Sequence, residues 1–335
     1  MPITHQVLGQ PGRDNALFVK VDTGQQITRL LFDCGDGCPH ALPFADVLAV
    51  DHLFFSHLHM DHVGGFDAFF RANHNRESKP NVVWGPAGSA EILQHRFRGF
   101  LWNLVGGASA VGWHVHEVHP GEVRSIRFEL PEAFATAHDG GSRPWDGVIL
   151  DGPGFTVEAH LMDHGTPSVA YVVREPERVN VNPDRLGAMH LPPGPWVRRL
   201  RGERAAPGET VTLGETTYSL AALQDELLVV TPGDSVAYLT DFRMDAAARG
   251  YLGERLRGVN TVVCECQYRT ADRELAERNM HMAADEVASV AAAAGVGRLV
   301  LFHVSDRYQP DGWRELLAEA RAIFPNTSFP EGWAV

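Results

Sequence analysis

Leu53-Phe54-Phe55-Ser56-His57-Leu58-His59-Met60-Asp61-His62-Val63-Gly64-Gly65 decides how this chain is read. The apolar run Leu53-Phe54-Phe55 predicts a short buried strand. His57, His59, Asp61 and His62 then crowd into six positions. Gly64 and Gly65 follow, and Phe66-Asp67-Ala68-Phe69-Phe70 has helical spacing. A strand, a side-chain-rich loop and a helix start thus succeed one another directly. Imidazole and carboxylate at this density suit zinc and its neighbours. The competing reading is a solvated loop in a chain with 17 histidines among 335 residues. A lone His-x-His would fit that reading equally well. His-x-His-x-Asp-His after an apolar strand, closed by Gly-Gly, fits a metal better.

The rest of the composition frames the site. A chain of this length, 44% hydrophobic, can build one large domain or two ordinary ones around a substantial core. It has no run of 18 apolar residues, so no membrane span is expected. The N-terminal stretch MPITHQVLGQPGRDN lacks a charged region followed by an apolar one, so no secretory signal is expected and the location is read as cytoplasmic. Cys34, Cys38, Cys264 and Cys266 are too few for a disulfide scaffold and read as thiols of a reducing compartment. Cys264-Glu265-Cys266 is spaced more tightly than zinc-thiolate pairs usually are. A formal charge of −13 repels nucleic acid unless positive charge is gathered locally. The densest basic run is Arg198, Arg199, Arg201 and Arg204, after Pro192-Pro193-Gly194-Pro195.

Outward from the signature, Ala16–Val21 and Arg29–Asp33 read as strands joined by a turn at Asp22-Thr23-Gly24. The second ends in Asp33-Cys34-Gly35-Asp36-Gly37. A helix is expected over 41–50 and another over 88–97, with a strand at 81–84 between them. Trp113–His119 and Val123–Leu130 alternate as strands around a Pro120-Gly121 turn. Period two puts His114 and His116 on one strand face, where a surface strand is favoured over a ligand pair. Residues 138–154, rich in Gly, Pro and Asp, read as a long loop. Phe155–Met162 and Val169–Arg174 are strands flanking Asp163-His164-Gly165-Thr166-Pro167-Ser168. Val236–Asp241 and Val259–Cys264 are further apolar strands, ending in Asp241 and at Glu265. His281 is expected to open a helix over 282–294, and Arg298–Phe302 is a strand ending in His303.

The His57–His62 segment resembles the signature of the metallo-β-lactamase superfamily. The resemblance implies a single αββα sandwich over residues 1–335, two mixed β-sheets flanked by helices. It also implies His57 and His59 on one metal, and Asp61 and His62 on a second. His164-Gly-Thr-Pro-Ser-Val-Ala-Tyr171 resembles the third motif of the ribonuclease Z family, in which that histidine completes the first metal's ligands. The Pro-Pro-Gly-Pro stretch resembles the Gly-Pro segment that follows, here a projecting segment at about 176–210. Thr240-Asp241-Phe242 keeps the aspartate that bridges both metals in that family, where the pattern is Gly-Asp-Thr. Cys264-Glu265-Cys266-Gln267 keeps only the glutamate of His-Glu-Ala-Thr. His281 matches a catalytic histidine that Ser or Thr usually follows; here Met282 does. His303-Val-Ser-Asp-Arg-Tyr308 matches the closing motif and supplies the second metal's last ligand.

From the resemblance, the centre holds two zinc ions, with manganese or iron also compatible, on His57, His59, His164, Asp61, His62, His303 and a shared Asp241. Asp33 either supports these ligands or is an ordinary turn residue. Asp61 is also cast as orienting the attacking water, His281 as a general acid and Glu265 as its support. Arg198, Arg199 and Arg201 either grip tRNA phosphates or form a solvated loop. The expected activity is removal of 3′ trailers from precursor tRNA by a homodimer. The alternative is a hydrolase of a smaller phosphodiester, carboxylic ester or lactone. The departures at 240, 242, 264 and 282 and the long stretch between His62 and His164 keep that alternative open.

Overall fold

The computed structural model describes residues 3–104, 111–192 and 194–335; Pro193 of the Pro-Pro-Gly-Pro stretch lies outside the described residues. Strands β1 (Ile3–Gly9), β2 (Asn15–Asp22), β3 (Ile27–Phe32), β4 (His52–Phe54), β5 (Asn81–Pro86), β6 (Gly112–His119), β7 (Glu122–Glu129) and β8 (His138–Pro144) lie side by side in that order. After β9 (Val148–Gly152), β10 (Phe155–Asp163) and β11 (Pro167–Arg174), the chain makes β12 (Arg178–Val181), β13 (Thr210–Leu213), β14 (Thr216–Ser219) and β15 (Leu228–Thr231). It continues through β16 (Ser235–Leu239), β17 (Thr261–Glu265), β18 (Arg298–Phe302) and β19 (Thr327–Ser328). The second large sheet has the order β19-β18-β17-β16-β11-β10-β9. Both sheets are mixed: β3 to β6 run parallel, as do β16 to β19, and the flanking strands are antiparallel.

Strand alternation sorts the apolar residues into three layers. Leu30, Phe32, Phe54, Tyr171, Val236, Tyr238 and Phe302 meet between the sheets. Leu31, Leu53 and Phe55 point the other way, against Phe66, Phe69 and Phe70 of the helix Phe66–Asn73 and Leu93 and Phe97 of the helix Ser89–Arg98. Ala237 and Leu239 turn away from the inter-sheet core onto Val287, Ala288 and Ala291 of the helix Ala284–Ala294. Strands covered on both faces must be apolar throughout, which is why Leu53-Phe54-Phe55 shows no alternation. The result is the αββα sandwich expected from the signature.

Two expectations change. The stretch 138–154 is not a loop: it forms β8 at the edge of the first sheet and β9 at the edge of the second. Every residue of β8 after His138 is exposed, so no buried face imposes an apolar alternation on the sequence. The helix after His281 starts at Ala284 rather than at 282. Ala283 is extended and bridges to Tyr268, and Glu286 Oε2 accepts from the Ala283 N–H at 3.1 Å, which fixes the helix start there.

The chain divides into two compact units: one runs to Arg174 and resumes at Asp234, and the other is Glu175–Gly233. The smaller unit pairs β12 with β15 and β13 with β14. It has its own core of Leu191, Trp196, Leu200, Val211, Leu220, Leu223 and Leu227. The segment anticipated at 176–210 falls inside it. No helix among the described residues is long and apolar enough to cross a membrane.

Candidate metal centre

In open sheets with parallel strands, sites form where the strands end. β4 leads into His57, β10 into His164, β16 into Asp241 and β18 into His303, while Glu265 closes β17. Asp33, Asp241 and His303, each just past a strand, have positive φ angles of 58°, 52° and 50°. These left-handed turns are uncommon outside glycine, and such strained positions concentrate at functional sites.

Two donor groups result, His57 with His59 and His164, and Asp61 with His62, Asp241 and His303, each with its ligand atoms within 4.8 Å of one another. Asp241 faces both. Its Oδ2 lies 3.3 Å from His62 Nε2 and 3.7 Å from both His57 Nε2 and His164 Nε2. Its Oδ1 lies 3.5 Å from His303 Nδ1. Asp61 Oδ2 lies 3.5 Å from His62 Nε2 and 3.3 Å from His303 Nε2. His57, His62, His164, Asp241 and His303 are buried, whereas His59 is exposed and Asp61 partly so, which opens the centre on that side.

The far ring nitrogens explain the orientation. His164 Nδ1 sits 2.9 Å from the Met280 carbonyl, which can only accept, so Nδ1 carries the proton and Nε2 presents a lone pair inward. His62 Nδ1 donates to Asp33 Oδ2 at 2.7 Å. Ser56 Oγ donates to the same carboxylate at 2.7 Å and lies 3.1 Å from His57 Nδ1. The Ser56 N–H reaches Asp33 Oδ1 at 2.7 Å, and the Tyr238 hydroxyl donates to Oδ2 at 2.8 Å. Asp33 is therefore one buried anchor for two of the inward-facing imidazoles.

These donors fit a cation. The Nε2 atoms of His57 and His62 are buried and have no hydrogen-bond partner, a cost that a bound ion removes. Burial holds His57 down at about 2, so it is the neutral imidazole that metals require. At His62 and His303 burial also disfavours charge, but nearby carboxylates outweigh it, Asp241 foremost, and raise both, His303 to about 10. A cation placed there takes over the role of those protons.

His281 and Glu265 adjoin the second group. Glu265 Oε2 lies 2.9 Å from His281 Nδ1 and 3.3 Å from His303 Nδ1. Burial lowers the basicity of His281, but the Glu265 and Asp241 carboxylates outweigh it and leave it raised. Alternation along β17 sends Cys264 and Cys266 into the helix-side core, away from Glu265, which rules out a thiolate site there. His116 meets Ser125 Oγ at 2.8 Å and packs on Trp84, and neither it nor His114 joins either donor group. Arg198, Arg199 and Arg201 are exposed in the smaller unit; Arg199 pairs with Glu209 at 2.9 Å, and Arg198 and Arg201 have no ion-pair partner among the described residues. Sequence reasoning missed Ser56, Tyr238 and the Met280 carbonyl. Ser56 adjoins His57 and was within reach; Tyr238 reads only as a core strand residue.

Comparison with known proteins agrees with this geometry. The family model for the anti-Pycsar protein Apyc1 matches residues 13–152. A protein of Deinococcus radiodurans named ribonuclease Z is 48% identical over 98% of this chain and 97% of its own length. Among solved structures, the metallo-β-lactamase fold protein YhfI from Bacillus subtilis aligns over 98% of this chain and 95% of its own with a TM-score of 0.57 at 14% identity. Human tRNase Z, short form, aligns over 91% of this chain and 93% of its own with a TM-score of 0.53 at 17% identity. The structural likenesses fix the fold, and the Deinococcus identity fixes the lineage: the chain belongs to the ribonuclease Z family and is a metal-dependent hydrolase of the metallo-β-lactamase fold.

Proposed function

We propose that this protein is an endonuclease that removes 3′ trailers from precursor tRNA with two zinc ions. His57, His59 and His164 would hold one ion and Asp61, His62 and His303 the other, with the Asp241 carboxylate lying within reach of both groups. The observation that carries this is the position of the Asp241 carboxylate, with one oxygen 3.3–3.7 Å from three imidazole nitrogens of both groups and the other 3.5 Å from His303. Support for the substrate comes from the ribonuclease Z relative and from the name of the human structural neighbour.

When bound, such ions supply Lewis acidity and lower the pKa of water toward about 7. The residues of the chain do the rest. Partly exposed Asp61 faces the open side, where its carboxylate can accept a hydrogen bond from the attacking water. Glu265 holds His281 at Nδ1, which leaves Nε2 to deliver a proton to the departing 3′ oxygen. Burial disfavours charge on His281, but the Glu265 and Asp241 carboxylates outweigh it and raise its basicity, which favours the protonated form a general acid needs. Asp33 and Ser56 keep the metal-facing imidazoles in the required tautomer. Arg198 and Arg201, which have no ion-pair partner among the described residues, would hold RNA phosphates on the smaller unit. By the same family reading the protein is a cytoplasmic homodimer, which light scattering would check.

The test is cleavage of a 3′-extended precursor tRNA by the zinc-loaded protein, with the cut site mapped and Asp241→Ala as control. A cut beside the discriminator base that the variant does not make supports the proposal. Bound zinc without any cut, together with turnover of small diesters or esters, overturns the tRNA reading and leaves a small-substrate hydrolase.

A further inference from the structure

We infer that Thr240 is a positioning residue, whose hydroxyl aims the Asp241 carboxylate between the two donor groups. The inference rests on the reading of these groups as a metal centre and goes beyond it. Thr240 is fully buried and immediately follows β16. Its Oγ1 donates to Asp241 Oδ1. Among the described residues this is the shortest polar contact of the Asp241 carboxylate. The imidazole nitrogens around that carboxylate stand farther off, at 3.3–3.8 Å.

An aspartate needs such a constraint here. Its terminal torsion is broad and roughly two-fold, so packing alone specifies the carboxylate plane weakly. The φ of 52° at Asp241 points the side chain inward but leaves that torsion free. Threonine is stiff at χ1, so its hydroxyl is presented in a defined direction. The backbone that carries it is tied as well, since the Thr240 carbonyl accepts from Ser168 Oγ at 3.5 Å. With Oδ1 held by Thr240, Oδ2 is turned to the convergence of His57, His62 and His164. The family pattern has glycine at this position and a hydroxyl residue at 242. In this chain Phe242 is buried in the helix-side core, and the hydroxyl stands on the other side of the aspartate.

The competing account is that Thr240 is merely a buried hydroxyl for which Asp241 is a convenient acceptor. Metal affinity separates the two. Apo protein would be reconstituted with zinc in competition with a chromophoric chelator, for the parent and for Thr240→Val, Thr240→Gly and Thr240→Ser. Thermal melts of each apo form would run alongside. A positioning role predicts that Thr240→Val and Thr240→Gly weaken zinc binding about 10–100-fold, the range seen when groups orienting metal ligands are removed. Thr240→Ser should restore parental affinity, and the apo melting temperatures should not follow this order. With a small phosphodiester, kcat should fall while KM holds.

Parental zinc affinity in Thr240→Gly or Thr240→Val overturns the inference, as does loss of affinity that merely tracks apo stability. If Thr240→Val fails to fold, Thr240→Gly carries the comparison, since it restores the family residue. A parent that binds no zinc would instead overturn the metal-centre reading itself.

Discussion

Replacing Asp33 with asparagine tests whether one buried carboxylate organises the centre. Four donors converge on Asp33: the Ser56 N–H and hydroxyl, the Tyr238 hydroxyl and His62 Nδ1, all at 2.7–2.8 Å. Asparagine keeps one acceptor oxygen, enough for the Ser56 N–H. Its amide then occupies the place of Oδ2 and faces three former donors. The Ser56 and Tyr238 hydroxyls can rotate and accept. The His62 N–H cannot, unless the ring shifts its proton to Nε2, the atom that faces Asp241 and would bind metal. The variant must therefore either leave a buried N–H without an acceptor or spoil a ligand. Hydrogen bonds to charged groups contribute about 1.5–3 kcal/mol each. Partial compensation by the two hydroxyls leaves an expected loss of about 3–5 kcal/mol, the usual range for breaking a buried charged pair. Tyr238→Phe removes one donor of four and should cost about 1–2 kcal/mol, with the His62 tautomer unchanged. Denaturant unfolding of the metal-free protein measures the stabilities. Long-range proton–nitrogen NMR of His62 in the zinc-loaded protein reports the tautomer, and zinc titration reports the affinity. Asp33→Asn with less than about 1 kcal/mol lost and an unchanged His62 tautomer would refute this account.

Other predictions address separate parts of the molecule. His281→Ala should keep its full metal content while kcat falls about 10²–10⁴-fold, the range for loss of a general acid; metal analysis beside single-turnover rates decides it. Arg198→Ala and Arg201→Ala should each lower the salt dependence of tRNA binding by roughly one ion, whereas Arg199→Ala, already paired with Glu209, should change it less; slopes unchanged from the parent in Arg198→Ala and Arg201→Ala would argue against a phosphate grip. Burial holds His52 and His116, on either side of Trp84, down at about 4. Between pH 6.5 and 4 the unfolded chain therefore binds protons that the folded one does not, so stability falls as pH drops through that window, by at most about 1.4 kcal/mol per pH unit for each ring. His116→Gln should flatten the pH dependence of the denaturant midpoint there, and an unchanged slope would contradict the assignment.

The centre was legible wherever chemistry sits at the end of an apolar strand. His57, Asp241 and His303 each follow a run of buried residues, where a polar side chain is conspicuous, and His164 follows the half-buried strand β10. What escaped notice was whatever lacked a local pattern. β8 is exposed along its length and so looks like a Gly- and Asp-rich loop. The helix Arg273–Asn279 buries only Ala276 and has no amphipathic stripe to read. Tyr238 looks like a core residue, because its hydroxyl's partner, Asp33, is 205 positions away in sequence. The smaller unit was visible only in its first half. β13 and β14 form a local hairpin across Gly214-Glu215, whereas β15, at its end, returns to pair with β12, and that closure depends on register between distant segments, which a single sequence does not display.

The way this smaller unit enters the chain has an evolutionary consequence. It departs after Arg174 and returns just before Ser235, residues directly opposed across the antiparallel pair β11–β16. Its whole length is thus spliced into what would otherwise be a hairpin turn. Insertion, shortening or exchange at that seam leaves the register of the sheet, and the aspartate at the end of β16, where they were. If the smaller unit captures RNA as proposed, selection could rewrite which substrates are captured without disturbing the residues that cut them, and an engineer could do the same by closing Arg174 onto Ser235 with a short turn.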